Sequence, residues 1–380
     1  MNKTYTYRLA LKGEASKIHK LMEYVYESVA DKDTFVCDDL SYVEKHIEEK
    51  GFVVVAEEIS ADSDESQKGS EGIIACLIVD FPGDGEENLG RDIELSEERL
   101  CKVVHMDSAV VHPKHRGHGL QGRLLSFAEC EIGRQMMPGP FYLMATVSPA
   151  NQASATTLEK LGYICRCTKE KYGGLTRRIY CKYMLAPKVF YVPGGSAPLS
   201  SEVFFIQGKE KLYVYDVGAN EESLLALKRL NPETCILSHF HKDHTTNLGK
   251  VDFQELYVDK KSSEHFPMGT TLEQQKGVED GVRLDIIPVA TCHSKAALLV
   301  NIDQQFLLVG DALYAIMKFG RPLFNTGQLK EVIDALERIQ TQYVVLSHDT
   351  RLVYTKEEAL KDLRETYARR TKDSPYIYLD

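Results

Sequence analysis

The chain has 380 residues, a hydrophobic content of 43% and an aromatic content of 9%, which is typical of a globular protein with more than one domain. Its net charge of −10 argues against a broad surface for nucleic acid or membrane. Nine cysteines, an odd number scattered through apolar segments, indicate reduced thiols and not a disulfide framework. Residues 1–8 lack the apolar core of an export signal, so we predict a cytoplasmic protein.

Alternating and helical patterns in the first eighty residues predict strands with a helix packed on them. Residues 5–11 alternate as a strand does, and the apolar spacing over 18–26 predicts an amphipathic helix. Two apolar runs, 51–56 and 72–79, indicate a pair of strands. The acidic segment 60–70 between them has no apolar anchors and is predicted to be a mobile hairpin loop.

A glycine-rich turn, 112–122, joins the next strand, 103–111, to a helix. Consecutive backbone N–H groups at such a turn, together with the positive end of the helix dipole, form an arrangement that binds phosphate. No Gly-Lys-Ser/Thr follows, so the turn is not a Walker loop. It also differs from a dinucleotide fingerprint, which requires a parallel βαβ unit and a ribose-binding acid.

The following segment places this turn in a larger pattern. A strand over 142–147 is followed by Asn151, a short helix and Leu161-Gly162-Tyr163. The order of elements within residues 4–185 resembles that of the GCN5-related N-acetyltransferases. It consists of a strand, an Arg-x-x-Gly turn, a helix, a strand, an asparagine, a short helix and Leu-Gly-Tyr. The resemblance implies that acetyl-CoA binds along Val110, Val111, Arg116, Gly117, His118, Gly119, Leu120, Gln121, Gly122 and Asn151.

Two polar side chains on the central strand are candidates for the general base of acetyl transfer. Alternation puts His105 and Asp107 on one face of that strand, and either could take a proton from an amine. A structural hydrogen bond explains both residues equally well. Members of the resembled family often carry a tyrosine seven residues after the motif asparagine, whereas this chain has Leu158. The role of acid would then be unfilled, or fall to water or to another residue such as Tyr163.

In the second half of the chain, residues 238–244 contain four metal-binding side chains in the spacing His-x-His-x-Asp-His. The segment follows a short apolar strand and precedes polar residues suited to the first turn of a helix. Side chains two apart share a face of extended backbone, so His239 and His241 can bind one ion together. Asp243 and His244 follow where the chain turns, which directs them towards a second ion. Such ligands suit zinc, with manganese and iron as alternatives.

Three later apolar runs each end at another metal-binding residue, respectively His293, Asp311 and His348. This set and order resemble the metallo-β-lactamase superfamily over residues 188–380. The resemblance implies an αββα sandwich with two divalent ions and a buried supporting carboxylate at Asp216. It assigns one ion to His239, His241 and His293 and the other to Asp243, His244 and His348, with Asp311 bridging them.

We therefore predict an α/β protein with an acetyltransferase domain at 1–186 and a metal hydrolase domain at 187–380. Two divalent ions would activate water for attack on an ester, lactone, thioester or amide. The expected partners are acetyl-CoA and small-molecule substrates, without nucleic acid or membrane, and a homo-oligomer is left open. Three alternatives remain: a CoA-binding regulatory module in the first half, and a nuclease or an iron oxygenase in the second.

Overall fold

The structure, a computed structural model, describes residues 4–59 and 72–379, and the chain divides into two compact units, Met1–Pro187 and Lys188–Asp380. The predicted hairpin loop at 60–70 lies outside the described residues. Within the described ranges, no helix is both long and apolar enough to cross a membrane. Both units combine helices with mixed sheets, so the predicted α/β class is confirmed.

The N-terminal unit is built on one sheet with strand order β1-β2-β3-β4-β5-β7, and β6 forms a hairpin with β7. Its strands are β1 Thr4–Leu9, β2 Gly51–Ile59, β3 Ile73–Asp80, β4 Val103–Val111, β5 Phe141–Val147, β6 Ile164–Lys171 and β7 Leu175–Ala186. Its helices are α1 Ala15–Ser28, α2 Leu40–Lys45, α3 Glu97–Leu100, α4 Leu120–Met136 and α5 Gln152–Lys160. The apolar stripe of α1 packs against β2 and β3, as its spacing predicts.

The two central strands separate partway along the sheet. Strand β4 pairs in parallel with β5 only over Val103–His105, opposite Tyr142–Met144. Beyond that point β4 pairs with β3 alone, while β5 continues to pair with β7. This divergence opens a cleft at the carboxyl ends of both strands. In the sequence, the glycine-rich turn was distinguished from a dinucleotide fingerprint partly by the requirement for a parallel βαβ unit. That distinction was wrong, because β4, α4 and β5 do form a parallel βαβ unit.

The C-terminal unit contains two six-stranded sheets, of order β8-β11-β12-β13-β14-β15 and β16-β17-β18-β19-β22-β23. A hairpin, β9-β10, and a small sheet, β20-β21-β24, complete its described strands. The strands are β8 Val189–Val192, β9 Gly195–Ser196, β10 Leu199–Ser200, β11 Val203–Gln207, β12 Leu212–Tyr215, β13 Thr234–Ile236, β14 Glu255–Val258, β15 Thr270–Thr271, β16 Lys276–Glu279, β17 Arg283–Thr291, β18 Lys295–Ile302, β19 Phe306–Leu308, β20 Ile316–Lys318, β21 Arg321–Asn325, β22 Tyr343–Val345, β23 Val353–Thr355 and β24 Tyr376–Tyr378. The helices are α6 Glu221–Leu230, α7 Lys242–Thr245, α8 Thr326–Arg338 and α9 Lys356–Ala368.

Strand direction brings the predicted metal ligands of this unit to one edge. In the second sheet β17 and β19 are both antiparallel to β18, and β22 is parallel to β19, so these three strands end on the same side. His293, Asp311 and His348 follow β17, β19 and β22. Each lies two or three residues beyond the strand and not directly after it, because the backbone turns before the ligand is presented.

Candidate functional sites

Seven predicted ligands of the C-terminal unit lie in two clusters, and within each cluster the ligand atoms are within 4.8 Å of one another. The first cluster contains His239, His241 and His293, and the second contains Asp243, His244, Asp311 and His348. Asp311 lies between them. Its Oδ2 is 3.2 Å from His293 Nε2, and its Oδ1 is 3.4 Å from His244 Nε2. A carboxylate with one oxygen facing each cluster is suited to bridge two cations.

Three buried ligand atoms have no hydrogen-bond partner among the described residues: His239 Nε2, His244 Nε2 and Asp311 Oδ1. Leaving a buried polar atom unpaired costs about 1–3 kcal/mol, so three at one place require an explanation. Each belongs to one of the two clusters. A cation in each cluster would pair with these atoms, and imidazole with carboxylate is a donor set that binds zinc. The residues therefore fit the metal ions that the resemblance implies.

A fully buried carboxylate, Asp216, orients one of the ligands. Its Oδ2 is 2.7 Å from His244 Nδ1, and its Oδ1 accepts a hydrogen bond from the Ser238 backbone at 2.7 Å. With Nδ1 engaged, Nε2 of His244 faces the cluster. Burial lowers the pKa of His244, but Asp216 and Asp311 outweigh burial and raise it well above its ordinary value. Asp216 thus provides the negative charge that holds this imidazole in place.

His239, in the first cluster, has its pKa shifted in the opposite direction from that of His244. Burial, followed by the neighbouring His244, lowers the pKa of His239 far below its ordinary value. His239 is therefore neutral, which is the form that binds a cation. Burial would raise the pKa of Asp311, but the nearby imidazoles of His244 and His293 outweigh burial and lower it. Asp311 is consequently ionised at neutral pH, as a carboxylate that binds a cation must be.

Two residues that the sequence did not single out hold the segment that carries His348. The Glu202 carboxylate accepts a hydrogen bond from the His348 backbone at 3.0 Å, and the Tyr314 hydroxyl donates to the carbonyl of Ser347. His348 itself has a left-handed backbone, with φ of 59°. No motif marks Glu202 or Tyr314, since neither lies at ligand spacing and both act through backbone groups remote in sequence.

Gly310, directly before the bridging Asp311, is expected to tolerate no side chain. Its φ is +51°, and a Cβ added there would lie 2.7 Å from Ser238 Cβ. Gly310→Ala should lower the free energy of unfolding by about 1–3 kcal/mol and weaken metal binding, because strain displaces Asp311. Urea unfolding measures the first effect. Gly249→Ala is the control, since nothing lies within 4 Å of its Cβ position; equal stability of the two variants would contradict the expectation.

In the N-terminal unit, a groove of about 590 Å³ lies between the carboxyl end of β4 and the first turns of α4 and α5. Nine of the ten residues predicted to contact acetyl-CoA line it, whereas His118 does not: Val110, Val111, Arg116, Gly117, Gly119, Leu120, Gln121, Gly122 and Asn151. The first turn of α4 has no side-chain cap, so its backbone N–H groups remain available to an anion. Gly119 precedes the helix with a left-handed φ of +71°, a conformation that favours glycine.

A second cavity, of about 390 Å³, continues from this groove, since Ala109, Gln121 and Asn151 line both. Asn151 caps α5 by accepting a hydrogen bond from the Ser154 backbone at 3.2 Å. Gln121 donates to the Ser154 hydroxyl at 2.8 Å, which ties α4 to α5 at the junction of the two cavities. The groove thus leads into a chamber, hereafter the inner cavity, which has room for a second molecule.

The candidate bases His105 and Asp107 both line the inner cavity but differ in their partners. His105 Nε2 accepts a hydrogen bond from the Leu89 backbone at 3.1 Å, and its Nδ1 lies 3.3 Å from Asp80. Both ring nitrogens are therefore engaged, which favours the structural role for His105. Asp107 accepts a hydrogen bond from the Tyr42 hydroxyl. Burial raises the pKa of Asp107, so it takes up a proton more readily than an ordinary carboxylate.

The suggested acid Tyr163 does not reach the cleft. Its side chain is fully buried and it is not among the residues that line either cavity. Leu158 does line the inner cavity, where it presents only apolar atoms. Two tyrosines that the sequence reading did not consider, Tyr42 and Tyr172, line the same cavity.

The similarity of this chain to known proteins is one of structure. No family model and no curated protein matches it. Solved structures match parts of the chain. The sec-alkylsulfatase Pisa1 of Pseudomonas sp. is 13% identical with a TM-score of 0.41, over 49% of this chain and 41% of that protein, less than half its length. A metallo-β-lactamase superfamily protein of Sulfolobus tokodaii is 16% identical with a TM-score of 0.37, over 48% of this chain and 87% of that one.

Another similar structure is yncA of Salmonella typhimurium, a proposed acetyltransferase solved with its cofactor acetyl-CoA. It is 20% identical with a TM-score of 0.33, over 48% of this chain and 93% of that one. The structural neighbours therefore include both families that the sequence resembles, each over about half of the chain.

Proposed function

We propose that the C-terminal unit is a dinuclear metal hydrolase that cleaves an ester, lactone, thioester or amide. The observation that carries the proposal is the pair of ligand clusters, with three buried ligand atoms that lack any other partner. Divalent ions held in this way supply Lewis acidity and lower the pKa of water towards neutrality. The acidic side chains at the centre, Asp243 and Asp311, act as ligands and not as free bases.

The chain's own residues position this chemistry. Asp216 fixes the ring of His244, and Ser238 Oγ lies 2.9 Å from His239 Nδ1, so each imidazole presents Nε2 to its cluster. Glu202 and Tyr314 hold the turn that bears His348. Nuclease or oxygenase chemistry could use the same ligands. The overall negative charge of the chain disfavours the polyanionic substrate of a nuclease. Hydrolysis of activated esters and lactones by metal-loaded protein is the direct test.

For the N-terminal unit we infer transfer of an acetyl group from acetyl-CoA to an amine. The groove at the first turn of α4 is suited to the pyrophosphate, and Asp107 lines the inner cavity, where an acceptor could bind. A module that only senses CoA would need the groove but not the inner cavity with the half-buried carboxylate of Asp107. Mass spectrometry of ligands retained by purified protein, followed by assay against a panel of primary amines, tests the inference.

If Asp107 takes the proton from the amine, transfer should depend on pH in a defined direction. The protonated carboxyl is inactive, so the rate should rise with pH through the raised pKa of Asp107 and then level off. Asp107→Asn should lower the rate by about 10²–10⁴-fold and remove this rise, because general base catalysis contributes that much. The measurement is a pH–rate profile at saturating acetyl-CoA.

His105→Gln is the companion variant, since His105 also lines the inner cavity but has both ring nitrogens engaged. We expect it to keep the pH dependence of the wild type. If Asp107→Asn transfers acetyl groups at the wild-type rate across the pH range, the base lies elsewhere. Tight binding of acetyl-CoA without acetylation of any amine would instead support the regulatory module.

A further inference from the structure

Transfer of an acetyl group from acetyl-CoA requires a proton for the sulfur atom that departs. When an amine displaces CoA, the sulfur departs as a thiolate, and a reference thiol has a pKa of about 8.5. A proton donor in the inner cavity would therefore speed departure near neutral pH. The wall of this cavity includes Leu158, whose side chain has no proton to give.

Most other titratable groups that line the inner cavity already have a partner. Lys50 lies 3.1 Å from Asp80, and Lys171 lies 2.9 Å from Asp92. His105 uses both ring nitrogens, and the Tyr42 hydroxyl donates to Asp107. Arg177 does not lose its proton in proteins. The remaining phenol at this cavity is Tyr172.

Tyr172 is held at the cavity by its backbone and by two side chains. It belongs to the turn between β6 and β7, where Tyr172, Gly173 and Gly174 all have left-handed φ values, of 52°, 78° and 105°. Its hydroxyl lies 3.0 Å from Thr146 Oγ1, two residues beyond the point where β4 and β5 separate. The guanidinium of Arg177 lies 5.8 Å from the centre of its ring. Left-handed backbone is what a short turn between two antiparallel strands requires, and it sets where the Tyr172 side chain starts.

We propose that Tyr172 is the general acid that protonates the departing CoA thiolate, a role that Leu158 cannot fill. The inference rests on the proposed acetyl transfer. The amine nitrogen forms a bond to the carbonyl carbon, and the carbon–sulfur bond breaks with its electron pair on sulfur. Tyr172 gives its hydroxyl proton to that sulfur, while Asp107 takes the proton lost by the amine. Exchange with solvent then returns both side chains to their starting states.

The electrostatic setting keeps this phenol protonated until it is needed. Burial is the largest influence on the pKa of Tyr172 and raises it, while the hydrogen bond with Thr146 lowers it by less; Asp107 and Arg177 then act in opposite directions. Tyr172 nevertheless remains 46% exposed, so a molecule in the cavity can reach it. The hydroxyl therefore carries a proton at neutral pH, and its exposure leaves that proton within reach of a molecule in the cavity.

The test compares two donors that differ only at the leaving atom, acetyl-CoA and its selenium analogue. Selenolate is a weaker base than thiolate and leaves without an acid. Tyr172→Phe should lower kcat with acetyl-CoA by about 10²-fold, the low end for acid catalysis, but lower kcat with the selenium donor far less. Leu158→Tyr in the Tyr172→Phe background should restore part of the rate with acetyl-CoA.

Tyr24→Phe is the matched control, because Tyr24 is 48% exposed and lines neither cavity. It should leave both donors unaffected. Calorimetry with CoA and the melting temperature show whether Tyr172→Phe still folds and binds. Equal losses with the two donors, or no loss with either, would overturn the role of Tyr172 while acetyl transfer stands. Absence of transfer by the wild-type chain would overturn both proposals together.

Discussion

Asp311→Ala is expected to lower the metal content of the purified protein from close to two divalent ions per chain towards one. Because the two oxygens of Asp311 face different clusters, its loss removes a ligand from each and leaves the second ion weakly held. Hydrolysis of activated esters and lactones should be lost, since it requires both ions. Elemental analysis of dialysed protein measures the stoichiometry, and the melting temperature with and without chelator reports the stabilisation by bound metal.

Asp285→Ala provides a matched control for that experiment. Asp285 is also a buried carboxylate of the C-terminal unit, but it pairs with Arg283 and Gln275 and lies outside both clusters. Its loss should reduce stability without changing the number of ions per chain. Full metal content and unchanged hydrolysis in Asp311→Ala would contradict the dinuclear assignment.

Acetyl-CoA is expected to raise the melting temperature of the protein, and a carboxylate in the groove should abolish that effect. A ligand that binds only the folded state stabilises it by mass action, by about 2.7 kcal/mol at 100 times the dissociation constant. Gly122→Asp places negative charge in the first turn of α4, and its Cβ would meet only Thr157 at 3.6 Å, an ordinary contact. Charge repulsion with the pyrophosphate then acts without backbone strain. Calorimetry with acetyl-CoA measures the loss.

Gly119→Asp should abolish binding as well, but it combines charge with the strain of a left-handed φ of +71°. Gly13→Asp separates the two effects, because Gly13 has φ of +89°, open space around it and no part in the groove. It should destabilise the protein yet retain acetyl-CoA binding. Wild-type protein that binds no CoA in calorimetry would refute the proposed acetyl-CoA site and leave only the fold.

The sequence by itself determined those features that depend on local spacing or strand direction. His239, His241, Asp243 and His244 lie within six residues, so a single turn suffices to divide them between two clusters. The sequence also predicted that His293, Asp311 and His348 lie close together, because each follows an apolar strand. Strands of one direction end at the same edge of a sheet. The glycine-rich turn before α4 could be predicted because its glycine spacing and the start of the helix are adjacent in the chain.

Tertiary structure alone decided the partners that lie far apart in sequence. Tyr42 reaches Asp107 across 65 residues, and Glu202 holds His348 across 146. Alternation placed His105 and Asp107 on one face of a strand, but it could not show that His105 is already engaged by Asp80 and the backbone of Leu89. Such contacts depend on where β4 and β5 separate and on how loops cover the cleft. These are outcomes of packing between remote segments, which leave no periodic pattern along the chain.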